Sequence, residues 1–558
     1  MSGAREHRIV SRLKREFVEG RMGRREFLRS VTLLGLSAAT AYAFAGKVTG
    51  ATSALAQAAS LPKGGRLRIA MPVVDISNPR QNSITVGSNL SRQTLEYLTI
   101  THHDGITRPH LLEGWEVSDD LKTWTLLIRQ DVTWRSGRRF TADDVVWNIE
   151  NALDPATGSS ILGLMKSYMI TEKEVTDASG ETKTVSELWD ANAVEKLDDH
   201  RVRLNCKEPQ IAVPEHLFHY PFNMMDPAEN GVFGPNSNGT GAFELVEIEV
   251  GKRAVFQARQ DYWGDGPYLD RLEFVDLGDD ANATVAALQS KQVDGVYSIG
   301  PELLPVVDGM PHIDVYSTTT AQTGVARVKF TKKPWSDQRI RSALKLAVDP
   351  ERINAVTMRE SGTPAEHHHV SPVQPDYAEL PAMKQDVERA KALLAEAGYP
   401  DGLDVTITCR KDPNWEPLVV QALVEQWRQA GIRAKINILP RPEYNKAWTE
   451  WELGFTGWSH RPLATMLLSL AYRSDGVWNE SGYANEEFDK LLMQAEGTLD
   501  LSKRREIMAK VEKLMQEDGP IVQPVWIKQH AAYDKKVRGA DINPSTFIFG
   551  NELAVQAA

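Results

Sequence analysis

The sequence predicts a mixed α/β protein of more than one lobe, on three observations. The chain has 558 residues, 42% hydrophobic and 25% charged, which is enough apolar material for two or three cores rather than one. Stretches of strand period take turns with stretches of helical period, without low-complexity blocks or short repeats. A strand, a helix and a second strand follow one another within residues 403–439, and such a crossover implies a parallel or mixed sheet with covered faces.

The elements follow in chain order. Near the start, "GRREFLRSVTLLGLSAATAYAFAG" sets Arg24 and Arg25 ahead of a soft apolar run, Val31–Gly46. That run is too short and too mild to span a membrane. Basic residues precede it, and Ala54-Leu55-Ala56 after it has the small-x-small pattern of a cleavage site. Residues 1–56 are therefore expected to be a removable export signal cut near Ala56. Its Arg24-Arg25-x-Phe27-Leu28 core resembles the twin-arginine type.

Residues 66–73, "RLRIAMPV", read as the first strand of the mature chain, and 123–134, "TWTLLIRQDVTW", as another ending in Ser136-Gly137. Thr141 with Asp144 makes a capping pair for a helix whose Val145, Ile149 and Leu153 share one face. Around 336–348, Ile340, Ala343, Leu344 and Ala347 have helical spacing. A helix over 384–397 is stopped by Gly398 with Pro400 beyond. In the 403–439 unit, Leu403, Val405, Ile407 and Cys409 alternate. Pro417 opens a helix holding Leu418, Ala422 and Trp427 that closes at Gly431, and Ile432, Ala434, Ile436 and Ile438 alternate again. A helix over 502–516 leads into "IVQPVW" as a strand.

Composition excludes several function classes. The formal charge is −11, and without the basic leader the body carries −17. An acidic body with no basic tract argues against a nucleic-acid partner, because phosphate binding needs concentrated positive charge. Two cysteines, Cys206 and Cys409, form neither a disulfide framework nor a zinc site and read as buried small apolar residues. "EHHHV" (366–370) makes His367, His368 and His369 weak metal candidates. On an extended chain, adjacent side chains point to opposite sides, so at most two could share an ion. Ser342-x-x-Lys345 matches a serine-nucleophile motif, but its companion S-D-N and K-T-G elements are missing. No cofactor is expected.

Four landmarks carry a family resemblance. They are "LLEGWEVSDDLKTWTLLIRQDVTWRSGRRFTADDVVWNIENAL" (111–153), "NGTGAFELVEIEVGKRAVFQARQDYWGDGPYLDRLEF" (238–274), "KKPWSDQRIRSALKLAVDPERI" (332–353) and "YANEEFDKLLMQA" (483–495). In this order they resemble the family 5 extracellular solute-binding proteins, the group holding the dipeptide-, oligopeptide- and nickel-binding proteins of ABC importers. The resemblance implies a two-lobed periplasmic binding protein of the Venus-flytrap, class II type, with an extra inserted subdomain. Lobe I would be 65–100, 231–326 and 516–558, the inserted subdomain 101–230, and lobe II 327–515.

The resemblance further implies no catalysis. A peptide or small solute would be trapped in the periplasm by a monomer and passed to a separate permease and its ATPase. Such a clamp closes only when the ligand satisfies polar groups on both lobes. An exported hydrolase or cofactor enzyme, a nickel-chelate binder and a sensing module stay open as alternatives.

In peptide-binding relatives, a Trp-containing stretch carries an aspartate for the peptide's amino terminus. Here the corresponding stretch reads Trp458-Ser459-His460-Arg461-Pro462, with no aspartate before Asp475. That departure points to an anionic ligand group anchored by Arg461 with His460 beside it, since guanidinium offers carboxylate a forked donor; a plain loop arginine is the alternative. Trp415 and Trp458 are candidates for stacking on the ligand or for ordinary packing. Asn238, Gly239 and Thr240 are candidates for backbone donation or for a chain reversal alone. Asp75 and Asn78 follow the first strand, where α/β lobes face a crevice.

Overall fold

The computed structural model describes residues 7–49, 61–176, 181–278 and 280–556. The chain divides into two compact units, one of Met1–Tyr297, His312–Asp314 and Ala532–Ala558, the other of Ser298–Pro311 and Val315–Ala531. The segments 298–311, 315–326 and 516–531, expected in lobe I, belong to the second unit, which contains all of 327–515.

In the first unit the strands run in the order Phe243–Glu249, Arg253–Ala258, Arg271–Val275, Arg66–Ala70, Gly295–Val296. The first strand ends at Ala70 and pairs in parallel with Arg271–Val275, so the two apolar sets stand side by side. A separate four-stranded sheet joins Leu112–Val117, Thr123–Ile128, Arg201–Asn205 and Val194–Asp198. The expected strand over 123–134 ends at Ile128, and Thr133 keeps only an isolated bridge to Arg139. The helix Ala142–Leu153 has the full capping box: the Thr141 amide donates to Asp144 Oδ2 at 2.9 Å, and Val145, Ile149 and Leu153 are buried.

The segment expected to be the export signal forms helices Val10–Val18, Arg24–Leu33 and Ala38–Thr49 that pack on this unit. The apolar run is broken at Gly35, whose φ of +84° ends the second helix. Phe17 stacks on Phe27 at 4.5 Å, and the Trp115 indole N–H donates to the Leu33 carbonyl at 2.8 Å. Arg25 Nε donates to the Asp104 carbonyl at 3.1 Å. Ala54 to Ala56, the expected cleavage site, lie outside the described residues. Among the described residues no helix is long and apolar enough to cross a membrane.

In the second unit the strand order is Ile313–Val328, which belongs to this unit from Val315 onward, then Leu453–Trp458, Leu403–Arg410, Ile432–Leu439. Leu403 to Arg410 pair in parallel with Ile432 to Leu439, joined by the helix Trp415–Gln429. The helix starts two residues before Pro417, and it buries Val419, Val420, Leu423 and Trp427 while Leu418 stays 36% exposed. Ile438, on the sheet's edge strand, is 43% exposed. The expected helices appear as Gln338–Leu346, Val387–Glu396 and Leu501–Glu517. "IVQPVW" is two strands, Ile521–Val522 and Val525–Asp534, because Pro524 has no amide hydrogen to donate to a ladder.

Candidate functional site

The strand Leu453–Trp458 ends at the stretch where the sequence places the ligand anchor. It is held by one carboxylate. Glu480 accepts from Thr456 Oγ1 at 2.6 Å, Trp458 Nε1 at 3.0 Å and Arg327 Nε at 2.9 Å, and Arg327 and Glu480 are both buried. Arg327 also donates to the carbonyls of Trp448 and Trp451. A buried charge needs this number of partners to offset its desolvation. The last residues of the strand are thereby fixed in place.

Arg461 follows three residues later and is 3% exposed. Its Nη1 donates to the Ser459 and His460 carbonyls, each at 3.1 Å, which turns the guanidinium back over its own loop. Its carbonyl accepts from Gln374 Nε2 at 2.9 Å. His460 Nδ1 accepts from the Ala321 amide at 2.9 Å. That contact assigns the ring proton to Nε2 in neutral His460.

Trp458 is buried, its ring tilted against Trp478 at 6.0 Å and edge-on to His369 at 5.9 Å. Trp415 opens its helix and meets Phe455 edge-on at 6.2 Å. Gly324 and Gly457 make room for it: a Cβ there would stand 2.8 Å and 3.1 Å from the Trp415 ring. Beside it Glu416, fully buried, pairs with Arg410. Burial comes first among the influences on Glu416 and raises its pKa, with Arg410 opposing.

The three histidines are buried within the second unit. His367 Nδ1 accepts from the Gln523 amide at 3.0 Å, and His368 Nδ1 from the Val370 amide at 3.2 Å. Each acceptor contact leaves the ring proton on Nε2, so neither neutral ring has a lone pair to offer an ion. His369 Nδ1 meets the Tyr472 hydroxyl at 2.6 Å. Burial pushes His367 down to about 3, and His369 also well below its ordinary value. Among the described residues no group of three or more His, Cys, Asp or Glu is arranged to hold a metal ion.

In the first unit Asn238 is committed internally. Its Oδ1 accepts from the Ser136 amide at 3.0 Å, while Nδ2 donates to Ser136 Oγ at 3.1 Å and to Asp226. Gly239 is required by close approach, since a Cβ there would lie 2.1 Å from the Thr94 carbonyl oxygen. Thr240 is fully buried. Asp75 and Asn78 are exposed and accept from the amides of Ser77 and Arg80, capping short turns.

Arg461, Trp458 and His369 thus gather in one place in the second unit, with His460 in the same loop. Asn238 to Thr240, Asp75 and Asn78 belong to the first. Sequence reading missed Glu480 and Arg327, which orient the strand. Their partners lie 153 positions apart, and no local pattern joins them.

The chain has the fold of the two-lobed, class II solute-binding proteins. The peptide-bound DppA from Helicobacter pylori superposes with a TM-score of 0.76 at 19% identity, over 89% of this chain and 99% of that one. AgaA from A. tumefaciens R10, solved with agropinic acid, gives 0.76 at 23% over 88% and 99%. The periplasmic oligopeptide-binding protein OppA of Haemophilus influenzae is 26% identical over 505 residues, 85% of this chain and 91% of its own. Residues 107–479 match the profile of the bacterial extracellular solute-binding proteins, family 5. The chain belongs to that family.

Proposed function

We propose that the protein is the solute-binding component of an ABC importer. It captures a small peptide-related solute bearing an anionic group and hands it, chemically unchanged, to a permease with its ATPase. It works as a monomer in the periplasm after a twin-arginine leader, with Arg24 and Arg25 at its centre, is cut near Ala56. Family membership supports the transport reading, as do relatives whose names specify oligopeptides.

One observation carries the anionic reading. The guanidinium of Arg461, 3% exposed, follows Trp458 in the stretch where the family resemblance implies an aspartate and this chain has none before Asp475. Arg461 pairs with the solute's carboxylate, His460 Nε2–H donates beside it, and Trp458 and Trp415 give the site its aromatic walls.

The test starts from the molecule that co-purifies with the native protein, identified by mass spectrometry. In a thermal-shift series, a solute at a hundred times its Kd adds about 2.7 kcal/mol of stability. Arg461→Ala is expected to weaken that solute by roughly 10- to 100-fold, the worth of a charged hydrogen bond. Unchanged affinity in Arg461→Ala would remove the anionic anchor.

A further inference from the structure

The first unit has a half-open cavity of about 500 Å³, within the range of small-molecule sites. Its walls include Arg92, Glu96, Phe218, Trp263, Phe549 and Glu552. Two of the three lining acids, Glu96 and Asp265, are held by neighbouring donors. Glu96 is buried and accepts from His110 Nε2 at 2.9 Å, Tyr262 Oη at 2.7 Å and Trp263 Nε1 at 2.9 Å. Asp265 accepts from the Tyr268 hydroxyl at 2.9 Å, and Glu552 lies 3.8 Å from His102. Two of the lining cations are also paired, Arg108 with Asp104 and Arg129 with Asp131. His102 is pushed down to about 4 by burial and then by Arg108, so it adds no charge near neutrality.

Arg92 is different. It is 8% exposed, and its Nη2 donates to Ser88 Oγ at 2.7 Å and, at 3.5 Å, to Tyr97 Oη. Its Nε is buried without a hydrogen-bond partner, and among the described residues no carboxylate lies within ion-pair distance. Aromatic rings surround it instead: Phe547 at 3.7 Å, Tyr97 at 5.0 Å, Phe218 at 5.4 Å and Phe549 at 5.7 Å. Cation–π attraction offsets part of the desolvation, but a buried charge without a counter-charge is expensive.

From this geometry we infer that the cavity is a second ligand site, one that takes a small organic carboxylate with a flat aromatic body. The carboxylate meets Arg92, and the ring lies among Phe218, Trp263 and Phe549. Glu96, already holding three donors, stays a wall.

The site is tested by isothermal titration of the full protein with phenylacetate, using the neutral phenylacetamide as a matched control. Saturable one-to-one binding of phenylacetate at or below about 1 mM is expected, with the amide and Arg92→Met each at least roughly tenfold weaker. A second variant, Ile100→Trp, fills the cavity wall without touching a charge and is expected to weaken phenylacetate similarly. It decides the matter should Arg92→Met fail to fold. Absence of saturable binding, equal binding of acid and amide, or unchanged affinity in Ile100→Trp would overturn the assignment.

Discussion

Each unit buries a guanidinium, Arg327 in the second and Arg92 in the first, and the two are partnered in opposite ways. In the second, Arg327 closes on Glu480 at 2.9 Å and on two backbone carbonyls, and the same carboxylate orients Thr456 and Trp458. In the first, Arg92 has aromatic faces and one hydroxyl pair but, among the described residues, no acid within ion-pair distance. A fully partnered charge fixes a strand, whereas an unpartnered one leaves its attraction available to something that arrives. The contrast separates architecture from recognition inside a single chain.

The largest effect expected follows directly. Arg327→Met strands Glu480 in the interior and is expected to cost about 3–5 kcal/mol in urea unfolding. Arg92→Met strands no charge, so without ligand it is expected to be neutral or stabilising. A similar loss in both variants would erase the distinction between the units.

Next in size is a pH effect within the second unit. Glu512 is fully buried, and its Oε1 accepts from the Ala378 amide at 3.0 Å. Its Oε2 lies 3.6 Å from His368 Nε2, while both oxygens of the nearby Asp376 are buried without hydrogen bonds. Burial, then Asp376 and Glu366, pushes Glu512 up to about 9. The native state therefore holds a proton that the unfolded chain releases near its ordinary value. The stability owed to this group is present at low pH and is lost as pH rises toward 9. The slope is at most about 1.4 kcal/mol per pH unit. Glu512→Gln, neutral throughout, is expected to flatten the fall in urea midpoint between pH 5 and pH 9. Parallel profiles for the two proteins would contradict this.

Smaller effects calibrate the rest. Thr141→Ala removes one arm of the capping box and is expected to cost about 1 kcal/mol in the first unit. Arg433→Ala breaks an exposed pair with Asp404 and is expected to leave the urea midpoint unchanged, because solvent screens such a pair.

Much of the framework was legible because its causes are local. The capping residues of Ala142–Leu153 and the alternation in Leu403–Arg410 sit within a few positions of what they determine. Errors arose where the environment decides. Leu418 and Ile438 satisfy the period yet face outward, the latter on an edge strand, and Pro524 divides what reads as one strand. The packing of the N-terminal helices depends on close approaches no pattern reveals: a Cβ at Gly35 would stand 2.3 Å from the Trp115 carbonyl oxygen. The candidate site was legible as a stretch, Trp458 to Arg461, but not as a mechanism. The partners that hold it, like those around Glu96, lie between 14 and 167 positions away.

The central claim is that a solute is taken up by the exported protein and given back unaltered. Incubating the co-purified solute with a stoichiometric amount of matured protein, then unfolding the mixture and weighing its small molecules by mass spectrometry, tests this directly. Recovery of the original mass alone is predicted; a time-dependent product mass would contradict it.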